Sequence, residues 1–232
     1  MENRTAKKRQ KERGSAELTT YQMKRLQTFQ KANSKVKADS IVFAGDSITE
    51  FFPLKKYLGH DLPLVNRGIA GTDSVWLLEH IEDQVLTLSP AKVFLMIGIN
   101  DIGRGYPLSD IVARISNIIA QIRANHILTK IYVLSVLPVN ESDQYAGKVK
   151  IRNNALIQVL NQHLQVLSGV NYIDLYPLLL DEKGELAEDY TTDGLHLTQT
   201  AYDKIAQTIK TDLKEKNRIQ RKSNTQSSSQ VC

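Results

Sequence analysis

The chain has 232 residues, of which 41% are hydrophobic and 24% are charged, and its formal net charge is +5. This length suits one domain with a well-buried core and is short for two domains. No stretch approaches the ~20 consecutive apolar residues of a membrane-spanning helix, and the only cysteine, Cys232, is the last residue, which excludes an internal disulfide and a cysteine-based metal site.

The positive charge lies at the two ends of the chain. Residues 1–13 carry six basic and two acidic side chains, residues 214–222 carry five basic and one acidic, and the remainder has 19 basic and 22 acidic. The charged N-terminus lacks the apolar core of a signal peptide, so we expect a cytoplasmic protein. The basic ends suit weak contact with an anionic membrane surface, but solvated tails are the simpler interpretation, and we expect no nucleic-acid partner.

Apolar periodicity predicts an alternation of helices and strands. Near-continuous apolar runs are typical of parallel strands covered on both faces, and apolar residues every three or four positions are typical of amphipathic helices. Ser109 and Thr198 are predicted N-caps of two of the helices. In chain order we predict a helix over 15–36, strands over 40–45 and 62–66, a helix over 74–88, a strand over 92–99, a helix over 109–126, a strand over 130–138, a helix over 148–167, a strand over 170–175 and a helix over 198–213.

This alternation predicts a doubly wound α/β/α sandwich with one body and no internal repeat. We divide the chain into a basic N-terminal segment with a helix that packs on the body (1–38), the α/β domain (39–213) and a basic, polar, disordered tail (214–232). Right-handed crossovers place the carboxyl ends of all parallel strands at one edge of the sheet, where such folds bind ligands.

Polar or glycine-containing motifs follow four of the five predicted strands. Each motif alone is a weak signal, because Gly-Asp-Ser after a strand is usually a turn and a helix cap. The glycine-rich motif lacks the lysine of a P-loop and the G-x-G-x-x-G spacing, so we expect no nucleotide site there. In strand order the motifs are "GDSITE" (45–50), "NRGIAGTDS" (66–74), "GIND" (98–101) and "DYTTDGLHL" (189–197). Together they bring a serine, an asparagine, an aspartate and a histidine to one edge of the sheet.

These four motifs, in this order and spacing, resemble the four sequence blocks of the SGNH hydrolases, also called the GDSL lipase/esterase family. The resemblance covers about residues 39–210 and is closest to the bacterial members similar to platelet-activating-factor acetylhydrolase. It implies a three-layer α/β/α fold with a five-stranded parallel, flavodoxin-like sheet. Ile48 stands where the family often has leucine, and Leu197 where proline is common, but neither change removes a functional group.

The resemblance also implies a role for each matching residue. Ser47 is the nucleophile, His196 the general base, and Asp193 the carboxylate that orients the imidazole. The oxyanion hole is formed by the Ser47 backbone N–H, the Gly71 backbone N–H and the Asn100 side-chain amide. This assignment agrees with elementary chemistry, since a serine hydroxyl needs an adjacent base and a developing oxyanion needs donors already in place.

Asp46 and Asp101 are predicted to brace the loops of the site from outside it, rather than to take part in the reaction. No pair of histidines has metal-ligand spacing, and serine-based acyl transfer needs neither a metal nor another cofactor, so we expect neither. We therefore predict a serine esterase. An O-acetyltransferase with the same site, and a non-catalytic binding module that uses its basic ends, remain as alternatives.

The substrate is predicted to be a small ester with a short, acetyl-like acyl group. The loops that face the site are short to moderate, and no long apolar lid is evident. Five aromatic residues are expected to line a modest cleft: Phe51, Phe52, Tyr106, Tyr145 and Tyr190. The sequence leaves open the alcohol part of the ester and the oligomeric state.

Overall fold

The computed structural model describes the backbone of residues 2–213 and the side chains of residues 16–213. The predicted C-terminal tail, 214–232, lies outside this range. The strands are β1 (Ile41–Gly45), β2 (Leu64–Gly68), β3 (Lys92–Met96), β4 (Lys130–Leu134) and β5 (Asn171–Ile173). The α-helices are α1 (Glu2–Asn33), α2 (Ser47–Glu50), α3 (Leu54–Leu58), α4 (Ser74–Glu79), α5 (Ile81–Gln84), α6 (Ile99–Arg104), α7 (Leu108–Asn125), α8 (Ala146–Val149), α9 (Asn154–Gln165) and α10 (Gln199–Leu213).

The five strands form one parallel sheet in the order β2-β1-β3-β4-β5. The predicted fold class is therefore confirmed: helices cover a five-stranded parallel sheet in a three-layer α/β/α arrangement. The last residues of three neighbouring strands, Gly45, Gly68 and Met96, lie in register at the carboxyl edge of the sheet. The loops that leave these strands carry the polar motifs.

Buried aromatic rings join the three central strands. Phe43 of β1 stacks on Phe94 of β3 with ring centroids 4.6 Å apart, and Phe94 stacks on Tyr132 of β4 at 4.5 Å. These residues are register partners in the sheet, so the stack follows from strand pairing. The rings pack β1 against β3, and β1 is the strand that leads into the serine motif.

Two predicted helices are each broken in the structure. The segment 74–88 divides into α4, α5 and a 3₁₀ turn because His80, with φ −117° and ψ 20°, leaves the helical region. The segment 148–167 divides at Lys150, whose φ is +58°. The break at Lys150 shifts the helical phase. A continuous helix over 148–167 would place Leu156 on the apolar face, but Ile157 is buried in α9 and Leu156 is 40% exposed.

One of the two predicted helix caps is wrong. Helix α7 begins at Leu108, directly after Pro107, whose ring presets a helix-compatible φ. Ser109 therefore lies inside the first turn, and its hydroxyl contacts the neighbouring Asp110. The other cap is confirmed, because Ala201 N donates to Thr198 Oγ1 at 3.4 Å.

Helix α1 is longer than the predicted 15–36 at its amino end and stops three residues earlier at its carboxyl end. Leu26 and Phe29 of α1 are buried in a small cluster with Ile69, and Trp76 packs against it. The helix therefore lies against the loop that follows β2. Within residues 2–213, no helix has both the length and the apolar character to cross a bilayer.

Candidate active site

Ser47 lies at the carboxyl edge of the sheet, where β1 ends and α2 begins. Asp46 is the N-cap of α2, and its Oδ1 accepts a hydrogen bond from Ile48 N at 2.9 Å. A Cβ atom at Gly45 would lie 2.1 Å from the carbonyl oxygen of Met96, so only glycine allows β1 to end this close to β3. This turn makes Ser47 the first residue of α2 and places it on the wall of a surface cleft.

His196 and Asp193 complete a chain of hydrogen bonds to the serine. His196 Nε2 lies 3.0 Å from Ser47 Oγ, and His196 Nδ1 lies 2.8 Å from Asp193 Oδ2. The other carboxylate oxygen of Asp193 accepts hydrogen bonds from the backbone N–H groups of His196, at 2.8 Å, and Leu195, at 3.1 Å. This arrangement makes Nδ1 the proton donor to Asp193 and leaves Nε2 free to accept the serine proton.

Lys148 also contacts the carboxylate, with its Nζ 3.1 Å from Asp193 Oδ2. Burial alone would raise the pKa of Asp193, but the hydrogen bonds from His196 and the lysine together hold that pKa far below its ordinary value. The carboxylate is therefore ionised throughout the neutral range. A negative charge beside Nδ1 is what an imidazole needs when it becomes protonated during acyl transfer.

The predicted oxyanion donors face the same cleft. Gly71 has φ +75°, a left-handed conformation that glycine adopts freely. Asn100 Nδ2 donates to Thr72 O at 2.9 Å, and Asn100 Oδ1 accepts from Arg152 at 2.9 Å. Among the described residues, the backbone N–H groups of Ser47 and Gly71 have no protein acceptor. Ser47, Gly71 and Asn100 thus line one cleft, while their role as oxyanion donors stays a prediction.

Arg152 fixes which way the Asn100 amide points. Its Nε donates to Ile99 O at 3.0 Å while a terminal nitrogen of its guanidinium donates to Asn100 Oδ1. A guanidinium has donors only, so it must face the oxygen of the amide. The NH₂ group donates to Thr72 O and keeps a second N–H that could serve an oxyanion. No motif in the sequence indicated this role, because Arg152 lies inside the predicted helix over 148–167, far along the chain from the "GIND" motif.

Asp46 and Asp101 lie outside the hydrogen-bonded chain of the site. Burial raises the pKa of Asp46 to about 7, although the hydrogen bond from Ile48 N acts in the opposite direction. Asp101 is fully buried and accepts hydrogen bonds from the backbone N–H and hydroxyl of Ser74, at the start of α4. Asp46 caps α2, and Asp101 joins α6 to the start of α4. The predicted role of both residues, to brace the loops of the site, stays a prediction.

The N-terminal helix forms part of the site. Leu18 lines the cleft, and a Cβ atom at Gly71 would lie 2.9 Å from its Cδ2. Gln22 Nε2 donates to Ala70 O at 3.1 Å, and Ala70 N donates to Glu50 Oε2 at 2.6 Å. Helix α1 and the end of α2 thus hold the loop that carries Gly71, a contribution that the four motifs did not indicate.

The cleft has a volume of about 390 Å³, is lined by three basic residues and is less aromatic than predicted. Of the five aromatic residues predicted to line it, only Phe51 does. Phe52 is instead buried, with its ring stacked on that of Tyr202 at 5.1 Å. The lining residues are Leu18, Ser47, Phe51, Ala70, Gly71, Asn100, Gly147, Lys148, Lys150, Arg152, Leu195 and His196. Within the part of the chain that the structure describes, no three His, Cys, Asp or Glu residues are grouped to hold a metal ion.

Residues 43–204 match the family model described as GDSL-like Lipase/Acylhydrolase. A solved structure from Streptococcus pneumonia, provisionally described as a platelet activating factor, is 36% identical with a TM-score of 0.82 and covers 86% of this chain and 95% of its own. The IB subunit alpha2 of platelet-activating factor acetylhydrolase from Rattus norvegicus is 24% identical over 179 residues, 75% of this chain and 76% of that protein.

A third relative is a longer protein. The N-acylneuraminate cytidylyltransferase of Escherichia coli is 30% identical to this chain over 188 residues, which are 78% of this chain. The aligned region spans only 43% of the cytidylyltransferase, less than half of its length.

Proposed function

The chain belongs to the GDSL-like lipase/acylhydrolase family. We propose that it is an ester hydrolase and that it cleaves a short-chain carboxylic ester through an acyl-enzyme on Ser47. The observation that carries this proposal is the chain of contacts from Ser47 Oγ to His196 Nε2 and from His196 Nδ1 to Asp193 Oδ2, at 3.0 and 2.8 Å. A serine hydroxyl without an adjacent base is a poor nucleophile, and in this geometry His196 is the adjacent base.

In the proposed first step, Ser47 Oγ attacks the ester carbonyl carbon while its proton passes to His196 Nε2. The carbonyl oxygen becomes an oxyanion, which accepts hydrogen bonds from the Ser47 and Gly71 N–H groups and from Asn100. Collapse of this intermediate breaks the bond to the alkoxide, which leaves as the alcohol with the proton from His196. Water then attacks the acyl-enzyme by the same route, and the carboxylic acid and free serine are formed.

The names of the relatives support an acetyl-like acyl group. One curated relative is an acetylhydrolase. The part of the cytidylyltransferase that aligns with this chain overlaps the residues that match the acylhydrolase family, 43–204. We therefore infer that this shared part performs ester chemistry, and that cytidylyl transfer belongs to the remainder of the longer protein.

The direct test is covalent labelling of the folded protein with a fluorophosphonate, followed by intact-mass measurement. One adduct, located on Ser47 by peptide mapping, is expected because the reagent reacts only with an activated serine. Folded protein that gains no adduct would show that Ser47 is not activated, and the binding-module alternative would then be favoured.

An Asn100→Ala variant is expected to lower kcat on p-nitrophenyl acetate by roughly 10²–10³-fold, with little change in KM. The amide contacts the oxyanion, which exists only in the transition state and the intermediate, so ground-state binding is spared. Asn125→Ala is the matched control, because Asn125 is an exposed asparagine outside the cleft whose side chain donates to Gln121 O of its own helix. Equal loss in both variants, or a loss confined to KM, would contradict the oxyanion role.

Hydrolysis of p-nitrophenyl esters is expected to be fastest for acyl chains of about two to four carbons, because Leu18 and Phe51 close the apolar side of a small cleft. Leu18→Ala should shift the optimum toward longer chains by opening that wall. Leu156→Ala is a matched control, since Leu156 is 40% and Leu18 39% exposed, but Leu156 lies on α9 outside the cleft. An optimum at about twelve carbons or more in the unmodified protein would refute the short-chain proposal.

A further inference from the structure

The lining of the active-site cleft is strongly cationic. Three basic side chains, Lys148, Lys150 and Arg152, face the cleft within five residues of one another, and no carboxylate lines it among the described residues. Like charges held this close repel one another, and a low-dielectric wall focuses their field into the cleft. A site that only had to hold a neutral ester would gain nothing from such a lining.

The segment that carries these charges is fixed in place. Val149, between the two lysines, is only 2% exposed, and Arg152 is anchored through Ile99 O and Asn100 Oδ1. Lys150 N donates to Ala146 O at 3.0 Å and closes the turn at the end of α8. The turn requires φ +58° at Lys150, a conformation that costs a non-glycine residue free energy. The backbone thus positions the lysine at the cleft even though glycine would adopt this turn more easily.

Two of the three cations already have partners in the site. Lys148 contacts Asp193 at 3.1 Å, and Arg152 holds Asn100 at 2.9 Å. Lys150 is different, because its ammonium makes no hydrogen bond or ion pair with any side chain in the described part of the protein. It is therefore the cation that is available to a ligand in the cleft.

We propose that the substrate is an ester whose alcohol part carries an anionic group, a carboxylate or a phosphate, and that Lys150 binds this group in the combined field of Lys148 and Arg152. The inference rests on the proposed ester hydrolysis and names its substrate class. The charge is assigned to the alcohol part because the acyl group is short. The oxyanion donors fix the carbonyl, so the alcohol part is what extends along the cleft.

The test compares two pairs of acetyl esters, each with one anionic and one neutral member. 1-Acetylglycerol 3-phosphate is paired with 1-acetylglycerol, and 4-acetoxybenzoate with 4-acetoxybenzamide, so that the two arms separate a phosphate from a carboxylate. For each pair, the ratio of kcat/KM values is corrected for the rates at which hydroxide alone cleaves the two esters. The unmodified protein is compared with the variants Lys150→Gln, Lys150→Arg and Lys35→Gln. Lys35 is an exposed lysine that precedes β1, at the opposite edge of the sheet.

We expect the unmodified protein to prefer the anionic ester about tenfold in at least one arm, at low salt. Lys150→Gln should reduce that ratio roughly three- to tenfold, Lys150→Arg should preserve it, and Lys35→Gln should leave it as in the unmodified protein. Raising the ionic strength to about 0.5 M should also reduce the ratio, because the Debye length falls below the size of the cleft.

Two results would overturn the inference. Equal corrected rates for the anionic and neutral esters in both arms would show that the cleft has no anion site, and the proposal of ester hydrolysis would still stand. A preference that Lys150→Gln does not change would equally exclude the proposed subsite. Failure to cleave any of the four esters, together with no fluorophosphonate adduct on Ser47, would instead overturn the proposed function and the inference with it.

Discussion

A Ser47→Ala variant is expected to lose at least about 10⁴-fold in kcat on p-nitrophenyl acetate and to gain no fluorophosphonate adduct. The hydroxyl oxygen is the atom that forms the acyl-enzyme in the proposed mechanism, and no other hydroxyl side chain lines the cleft in the part of the chain that the structure describes. The oxyanion donors remain in the variant, so a small residual rate above that of water alone is expected. The measurement is initial-rate kinetics with intact-mass analysis of the same samples.

The fold should survive this substitution, because the Ser47 hydroxyl contacts only the His196 ring among the described side chains. Thermal unfolding of the variant checks this point. Ser109→Ala is the control, because it removes a serine hydroxyl from an exposed position in the first turn of α7. This variant should keep full activity and full labelling. Activity retained by Ser47→Ala would show that another nucleophile performs the reaction.

A His196→Ala variant is expected to lose about 10⁴-fold or more in kcat, because the same imidazole removes the serine proton and returns it to the leaving alcohol. Asp193→Asn should lose less, since the base remains and only its orientation and charge stabilisation are weakened. When two residues act together in one step, the losses in kcat from substituting each of them are not additive. The double variant Ser47→Ala/His196→Ala should therefore be no slower than Ser47→Ala alone.

His163→Ala provides the control, because His163 is an exposed histidine in the last turn of α9, outside the cleft. It should retain the activity of the unmodified protein on the same ester. A double variant much slower than either single variant would mean that Ser47 and His196 act independently, which the 3.0 Å contact between them does not allow.

The family and the fold class could be predicted from the sequence because they depend on local features. Apolar runs define buried strands, and the short motifs that follow them need only a few neighbouring residues to be recognised. The resemblance carried by "GDSITE" and "DGLHL" is confirmed by the family match over residues 43–204. The structure brings Ser47, Asp193 and His196 together as expected, while their catalytic roles remain predictions.

The remaining parts of the site could not be predicted because they depend on tertiary packing. Arg152, which contacts Asn100, lies just after the break in the helix at Lys150, and a 3.6-residue period gives no sign of that break. Leu18 comes from a helix whose position against the loop at Gly71 is set by packing. The prediction of an aromatic lining was wrong for a related reason. The hydrophobicity of a residue does not show whether its ring lies in the core, as at Phe52, or on the wall of a cleft.

Ser47 and His196 lie 149 residues apart along the chain. Contacts between residues so far apart in the chain form late in folding, after the intervening strands have paired. Closing a long loop costs conformational entropy before the contact can stabilise the chain. During synthesis, the ribosome releases the serine well before the histidine has been made. An unfinished or partly folded chain therefore carries a serine without its base and is chemically inert toward esters. The onset of ester cleavage would consequently show that the loop before α10 has packed against Ser47. Ester cleavage could therefore be used to measure when folding is complete.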